Sequence, residues 1–256
     1  MRHVWVAVGS LLAVAALGWG TFSTVSLLAH EEQDARHAFP AEAVSGLEVR
    51  NDDGTVEVTG RDVDEVTVEV HVDHGLRRTS ERAELRDGTL VLRGDCPTGP
   101  SVWCSVDYRI VVPRDLPVEV ESANGRITLR DLDAEVVVAG SNGRIELARI
   151  TGPTLDARTS NGPIEGRGLS PDTATLRTSN GPIEAAFAEP PRVVTATTSN
   201  GPVELVLPDD RTTYQVDVRA GHLGSTDVAV RTDPSSDRTL YARTSNGSVT
   251  VRYPTG

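Results

Sequence analysis

Six Asn-Gly pairs recur in the C-terminal half of the chain: Asn124-Gly125, Asn142-Gly143, Asn161-Gly162, Asn180-Gly181, Asn200-Gly201 and Asn246-Gly247. The first five asparagines are 18, 19, 19 and 20 residues apart, and the sixth follows after 46, about two periods. The surrounding phrases align without gaps, from Ser141-Asn-Gly-Arg-Ile-Glu through Thr178-Ser-Asn-Gly-Pro-Ile-Glu to Thr244-Ser-Asn-Gly-Ser-Val-Thr. A fixed period near ~20 residues marks a stacked repeat in which each copy is one structural rung. It points to a scaffold before an enzyme.

Within a rung, apolar residues alternate on both sides of the pair. Ile127, Ile145, Ile164, Ile183, Val203 and Val249 stand three places after their asparagines. Val120, Val138, Ala157, Leu176, Ala196 and Ala242 stand four places before. Such period-2 alternation reads as two half-buried strands around a turn.

Asn-Gly between strands ordinarily signals a hairpin. Here Pro163, Pro182 and Pro202 follow the glycine. That position must donate an N–H in a two-residue hairpin, and proline has none. The pair is better read as a corner between two sheets, with rungs stacked in parallel. Glycine then supplies a positive φ, and the asparagines can hydrogen-bond along the stack. The expected fold is all-β: a right-handed β-solenoid, β-helix-like, of ~19-residue rungs.

The N-terminal half carries weaker versions. Asp53-Gly54 and Asp87-Gly88 sit between alternating strands, and the first of these rungs is a candidate cap. Segments Val63 to Val72 and Cys104 to Val112 read as further strands, whereas His30 to Glu42 is polar and reads as a linker.

From Val4 to Ala29 the chain has 26 consecutive uncharged residues, preceded by Arg2 and followed by Glu31, Glu32 and Asp34. A helix of this length spans a bilayer, and the charge asymmetry puts the rest of the chain outside the cell. A cleavable signal peptide cut before Trp19 is the alternative. Both readings export the domain. The expected organisation is therefore a transmembrane helix or signal peptide over 1–30, a linker over 31–44 and a β-strand-repeat domain over 45–256. Cys96 and Cys104, the only cysteines, bracket a turn-rich loop. In an oxidising compartment a disulfide between them is expected, the alternative being two free thiols packed as small apolar groups.

The net charge of -12, with 25 basic residues that are all arginine, argues against a nucleic-acid surface. No catalytic motif emerges. His71 and Asp73 share a strand face without a second metal-ligand pair, and His222 has no implied nucleophile. No cofactor is expected. Four places after their asparagines stand Glu146, Glu165, Glu184 and Glu204, a candidate surface ladder. Stacked carboxylates repel unless solvated, paired or bridged by cations. Arg158 and Arg177, on the same outward parity, are the expected partners.

The Thr-Ser-Asn-Gly-Pro-Ile-Glu phrases behind one apolar N-terminal segment resemble the bacterial putative-adhesin family of β-strand-repeat envelope proteins. The resemblance runs from Ser45 to Tyr253 and is clearest from Val118. It implies an extracytoplasmic β-solenoid of an actinobacterium-like Gram-positive cell, with an association to envelope-stress regulation. It carries no functional residues. The expected role is a membrane-anchored, non-enzymatic binding or structural module whose partners are the membrane and a cell-wall glycan or envelope protein. Alternatives are an accessory or sensor protein in envelope-stress signalling and, third, a small carbohydrate-active enzyme.

Overall fold

The computed structural model describes residues 31–75, 79–97, 103–221 and 224–254. Among them are 21 strands, one 3-10 turn at Ala41–Ala43 and no α-helix. The chain opens with β1 (Glu31–Pro40), β2 (Gly46–Asp53), β3 (Val56–Arg61) and β4 (Glu65–His74). Next come β5 (Ser80–Arg86), β6 (Thr89–Asp95) and β7 (Cys104–Pro113). The regular rungs follow as strand pairs: β8 (Val118–Asn124) with β9 (Ile127–Leu132), β10 (Val136–Asn142) with β11 (Ile145–Ile150), and β12 (Thr154–Asn161) with β13 (Ile164–Leu169). They continue as β14 (Thr173–Asn180) with β15 (Ile183–Phe187), and β16 (Val193–Asn200) with β17 (Val203–Val206). The chain closes with β18 (Gln215–Arg219), β19 (Thr226–Val228), β20 (Thr239–Asn246) and β21 (Val249–Arg252).

These strands form two sheets. Sheet A has 11 strands in the order β1-β4-β7-β3-β9-β11-β13-β15-β17-β21-β19. Sheet B has 10, in the order β18-β20-β16-β14-β12-β10-β8-β2-β6-β5. Each rung contributes one strand to each sheet, and the rungs pair in parallel with asparagine on asparagine: Asn124, Asn142, Asn161, Asn180, Asn200 and Asn246 share one column. The inward residues make the core. Ile127, Ile145, Ile164, Ile183, Val203 and Val249 are all buried. Neighbouring rungs compensate in volume: Leu155 with Ala157 lies beside Ala174 with Leu176. An interior at crystal-like density needs such exchange, because one column cannot widen independently of the next.

The corner explains the repeat. Gly125, Gly143, Gly162, Gly181, Gly201 and Gly247 all have φ between +117° and +156°. Each glycine also has the preceding rung's glycine carbonyl where a Cβ would stand; at Gly181 the distance to Gly162 O would be 2.1 Å. Conformation and close approach thus both require glycine. Gly181 N donates to Asn200 O at 2.8 Å, and Ile164 N donates to Pro182 O at 3.0 Å. The residue after the glycine enters the ladder through its carbonyl, so proline there forfeits nothing.

A second bend was not legible in the sequence. Asp131, Arg149 and Gly168 lie in the left-handed region at φ 58°, 52° and 64°. Arg149 grips the Asp131 carboxylate through Nε and Nη2 at 2.6 and 2.7 Å, which holds two non-glycine residues in a costly conformation.

Several expectations need correction. Residues Glu31–Pro40 are not a linker: they form β1, paired antiparallel with β4 from Glu31↔His74 to Pro40↔Glu65. Alternate inward residues Ala35 and Phe39 pack on the core, a pattern hidden by the charges between them. The Asp53-Gly54 rung is not a cap, because it pairs with rungs on both sides. The antiparallel strands β1, β4 and β5 close that end instead. Asp87-Gly88, read as a corner like Asp53-Gly54, is a hairpin between β5 and β6 with φ of 49° and 83°. Positive φ at both residues is the type I′ turn that suits antiparallel strands. The segment 1–30, read as a membrane helix or signal peptide, lies outside the described residues. Among those described, no helix is long and apolar enough to cross a membrane.

Three stability measurements test this architecture. Gly181→Val should cost about 3 kcal/mol in urea unfolding, since strained φ and backbone overlap act together. Glu184→Gln, at an exposed site, should stay within about 0.5 kcal/mol. Equal losses would mean that the inside and outside of the rung are reversed. Cys96 and Cys104 are bonded, with Cα atoms 5.8 Å apart and a separation of 8 residues. Cys96→Ser should cost about 2 to 3 kcal/mol, the loop-closure entropy of so short a loop. Non-reducing peptide mapping should recover the 96–104 pair.

Candidate functional surfaces

The asparagine column is a continuous side-chain ladder on the outer corner. Asn142 Nδ2 donates to Asn124 Oδ1 at 3.1 Å, Asn161 to Asn142 at 2.9 Å, and Asn180 to Asn161 at 2.9 Å. Asn200 and Asn246 continue it at 2.8 Å each. Beneath it, Thr178, Thr198 and Thr244 hydroxyls donate to corner glycine carbonyls at 2.8–3.0 Å. With their donors engaged along the stack, these residues act as structure and offer little to a ligand. Asp53 holds the equivalent place one rung earlier. Burial raises its pKa, against a hydrogen bond from the Gly54 backbone, and Asp107 and Asp52 push it the same way as burial.

Glu146, Glu165, Glu184 and Glu204 stack in register on the outer face of sheet A. Their partners are not those expected. Arg158 lies on sheet B and pairs with Asp156 of its own strand at 2.5 Å. Arg177 lies beside it in register on β14. The corner places residues before and after the asparagine on different sheets, so shared parity does not bring them together. The cations come instead from the residue after the glycine, from Arg167 on β13, which meets Glu165 at 3.8 Å, and from the chain end. Arg144 meets Glu165 at 2.6 Å and Glu146 at 4.0 Å, Arg126 meets Glu146 at 3.6 Å, and Arg252 meets Glu204 at 2.7 Å. Glu184 has no ion pair among the described residues. The column is thus largely neutralised, and it does not form a continuous anionic stripe.

At the N-terminal end, the outer face of β1, β4 and β7 holds a groove of about 670 Å³. His71 lies between Asp34 and Asp107 in register, and its Nδ1 is 2.8 Å from Asp34 Oδ1. Asp73 accepts from Trp103 Nε1 at 3.0 Å. His71 and Asp73 are therefore on one face, yet among the described residues no three His, Cys, Asp or Glu side chains converge to hold a metal ion. His222 lies outside the described residues. Sequence reasoning missed the groove, because it depends on the antiparallel pairing of β1. The available signal was the alternation of polar residues along β4 and β7.

No curated protein matches the chain. The family model Toastrack DUF4097 matches residues 116–255, more than half of it. The chain belongs to the Toastrack DUF4097 family. A crystal structure of a putative adhesin from Bacteroides fragilis is similar at 13% identity and a TM-score of 0.53, covering 87% of this chain and 97% of that one. A second, from Parabacteroides distasonis, has 12% identity and a TM-score of 0.49, covering 87% and 97%. At 13% identity the likeness to the Bacteroides fragilis structure concerns the fold alone. The family match begins at Leu116 and covers the regular rungs, while the groove lies on strands before it.

The His71 link makes a pH prediction. The Asp34 carboxylate raises the His71 pKa through its hydrogen bond, only partly opposed by desolvation. Stability from this contact is fully present below about pH 6.5 and is lost as pH rises through the folded-state pKa. His71→Asn should therefore lower the melting temperature at about pH 5.5 and leave it nearly unchanged at about pH 9. A loss of equal size at both values would show that charge plays no part in tying β1 to β4.

Proposed function

We propose that this chain is a non-enzymatic, adhesin-like binding module of the cell envelope, held at the membrane by its apolar N-terminal segment. The observation that carries the reading is the register-locked stack, whose side chains form fixed columns on broad outer faces. Such a surface suits an extended partner better than a small substrate. Family membership and the fold shared with a putative adhesin of Bacteroides fragilis support it. The Cys96–Cys104 bond agrees with an oxidising compartment. The right-handed sense of the coil, which strand twist favours, belongs to the same proposal.

Topology tests it directly. A reporter fused after Gly256 should be active outside the cytoplasm, and the protein should remain in the membrane fraction after carbonate washing. A soluble product lacking the first residues would replace the anchor by a cleaved signal peptide. A reporter active only in the cytoplasm would sink the envelope assignment altogether.

A further inference from the structure

The groove on the first strands of sheet A has a composition unlike the rest of the surface. Outward side chains on β7 alternate as Ser105, Asp107 and Arg109, and Trp103 precedes them on the same parity. On β4 they meet Asp73, His71 and Glu69 in register. Trp103 is 59% exposed, the highest value among the large exposed hydrophobic residues described. Its indole N–H is nonetheless fixed by Asp73. A tethered ring with an open face is already ordered before anything binds, which lowers the entropy cost of stacking. Asp73, which anchors the ring, stands one row, about 7 Å by strand geometry, from His71, and along β7 Trp103 itself is two rows, about 13 Å, from Asp107. His71 and Asp107 begin the groove.

The charges there are largely paired: four carboxylates, Asp34, Glu57, Glu69 and Asp107, face Arg36, Arg109 and His71. Arg109 lies 3.8 Å from both Glu57 and Glu69, and Arg36 lies 4.0 Å from Glu69. Asp34 is held by His71 at 2.8 Å, and Asp107 Oδ1 accepts from Thr55 N at 2.6 Å. On a chain of net charge -12 this is a weakly acidic patch whose carboxylates all have partners, and it offers no field to draw an anion. What it does offer is a row of planar, oriented donors and acceptors beside a flat apolar ring. Adjacent hydroxyls of a pyranose match the paired atoms of carboxylate and guanidinium groups. The C–H face of the same sugar packs on an indole.

We propose that the outer face of β1, β4 and β7 binds a neutral oligosaccharide, one sugar stacking on Trp103 and sugars further along the same chain hydrogen-bonding His71, Asp107 and Arg109. The site deepens the binding-module reading above and rests on it. It gives that module a glycan ligand and places recognition at the N-terminal end of the stack, away from the glutamate column.

Trp103 is also the only tryptophan after residue 30; the others are Trp5 and Trp19. The emission difference between the 256-residue chain and its Trp103→Phe variant therefore reports on this ring alone. The protein would be studied in micelles of a detergent without a sugar headgroup. Chitotetraose and cellotetraose are titrated, with calcium chloride and sodium phosphate as ionic comparisons. The expected result is a saturable change in the difference spectrum with at least one sugar and none with either salt. By an independent readout such as calorimetry, Trp103→Ala should weaken binding at least about tenfold. Asp107→Asn should weaken it about three- to tenfold. Melting temperatures show whether either variant has simply lost its fold.

Cosedimentation with isolated cell-wall sacculi separates this inference from the reading beneath it. Sacculus binding that survives Trp103→Ala, with no sugar response, overturns the site and leaves the module standing. Failure to bind both sugars and sacculi overturns the two together. A response to calcium or phosphate but not to sugars overturns the oligosaccharide assignment.

Discussion

At each corner of the stack the glycine carbonyl of one rung sits where the Cβ of the next would be. That approach is possible only when every rung has a glycine at the same place and all rungs are in register. A one-residue slip would bring a side chain into the contact and would also turn the apolar face outward. The two sheets, the asparagine ladder and the alternation of large and small core residues all follow from this fixed superposition. The corner therefore defines the period, and the rest of the rung adapts to it.

Superposition puts like on like, and the sequence handles each column differently. Asparagine carries its own donor and acceptor, so six copies satisfy one another. Glutamate does not, so its column draws on arginines from the position after the glycine. Rungs with Arg126 and Arg144 there neutralise Glu146 and Glu165. Rungs with Pro163, Pro182 and Pro202 stiffen the corner but bring no cation at that position, and Glu204 depends on Arg252 from the end of the chain. Rigidity and charge compensation thus compete for a single position. Glu184, flanked by proline rungs, shows the cost of that choice.

Much of the regular half could be read from the sequence because its physics is local. Asn-Gly followed by proline rejects a hairpin on covalent grounds, and period-2 alternation marks both strands. What escaped depends on long-range pairing. Nothing within Glu31–Pro40 reveals that β4 supplies its partner. Asp53-Gly54 and Asp87-Gly88 look alike until the direction of the following strand is known. The outward parity of Arg158 was read correctly, but its neighbours were not, since parity says nothing about which sheet a residue joins. The bend at Asp131 and Arg149 lacks the usual glycine, and its ion pair becomes visible only when the rungs are stacked. Trp103 and its groove were illegible for the same reason.

The order of rungs in space differs from their order along the chain. β18 and β19 are made before β20 and β21 yet stack outside them, so the 46-residue interval holds one rung that must wait for its inner neighbour. For a chain emerging from its N-terminus, this amounts to a timing rule. Rungs up to β16 and β17 can add one by one, each on a finished surface. In the terminal rung, β18 then has no inner neighbour until β20 has appeared, and β19 has none until β21 has appeared. Until then β16 and β17 present bare edges, open to pairing with any other extended chain. A chain interrupted before β21 is left with an uncapped stack, however well its earlier rungs have formed.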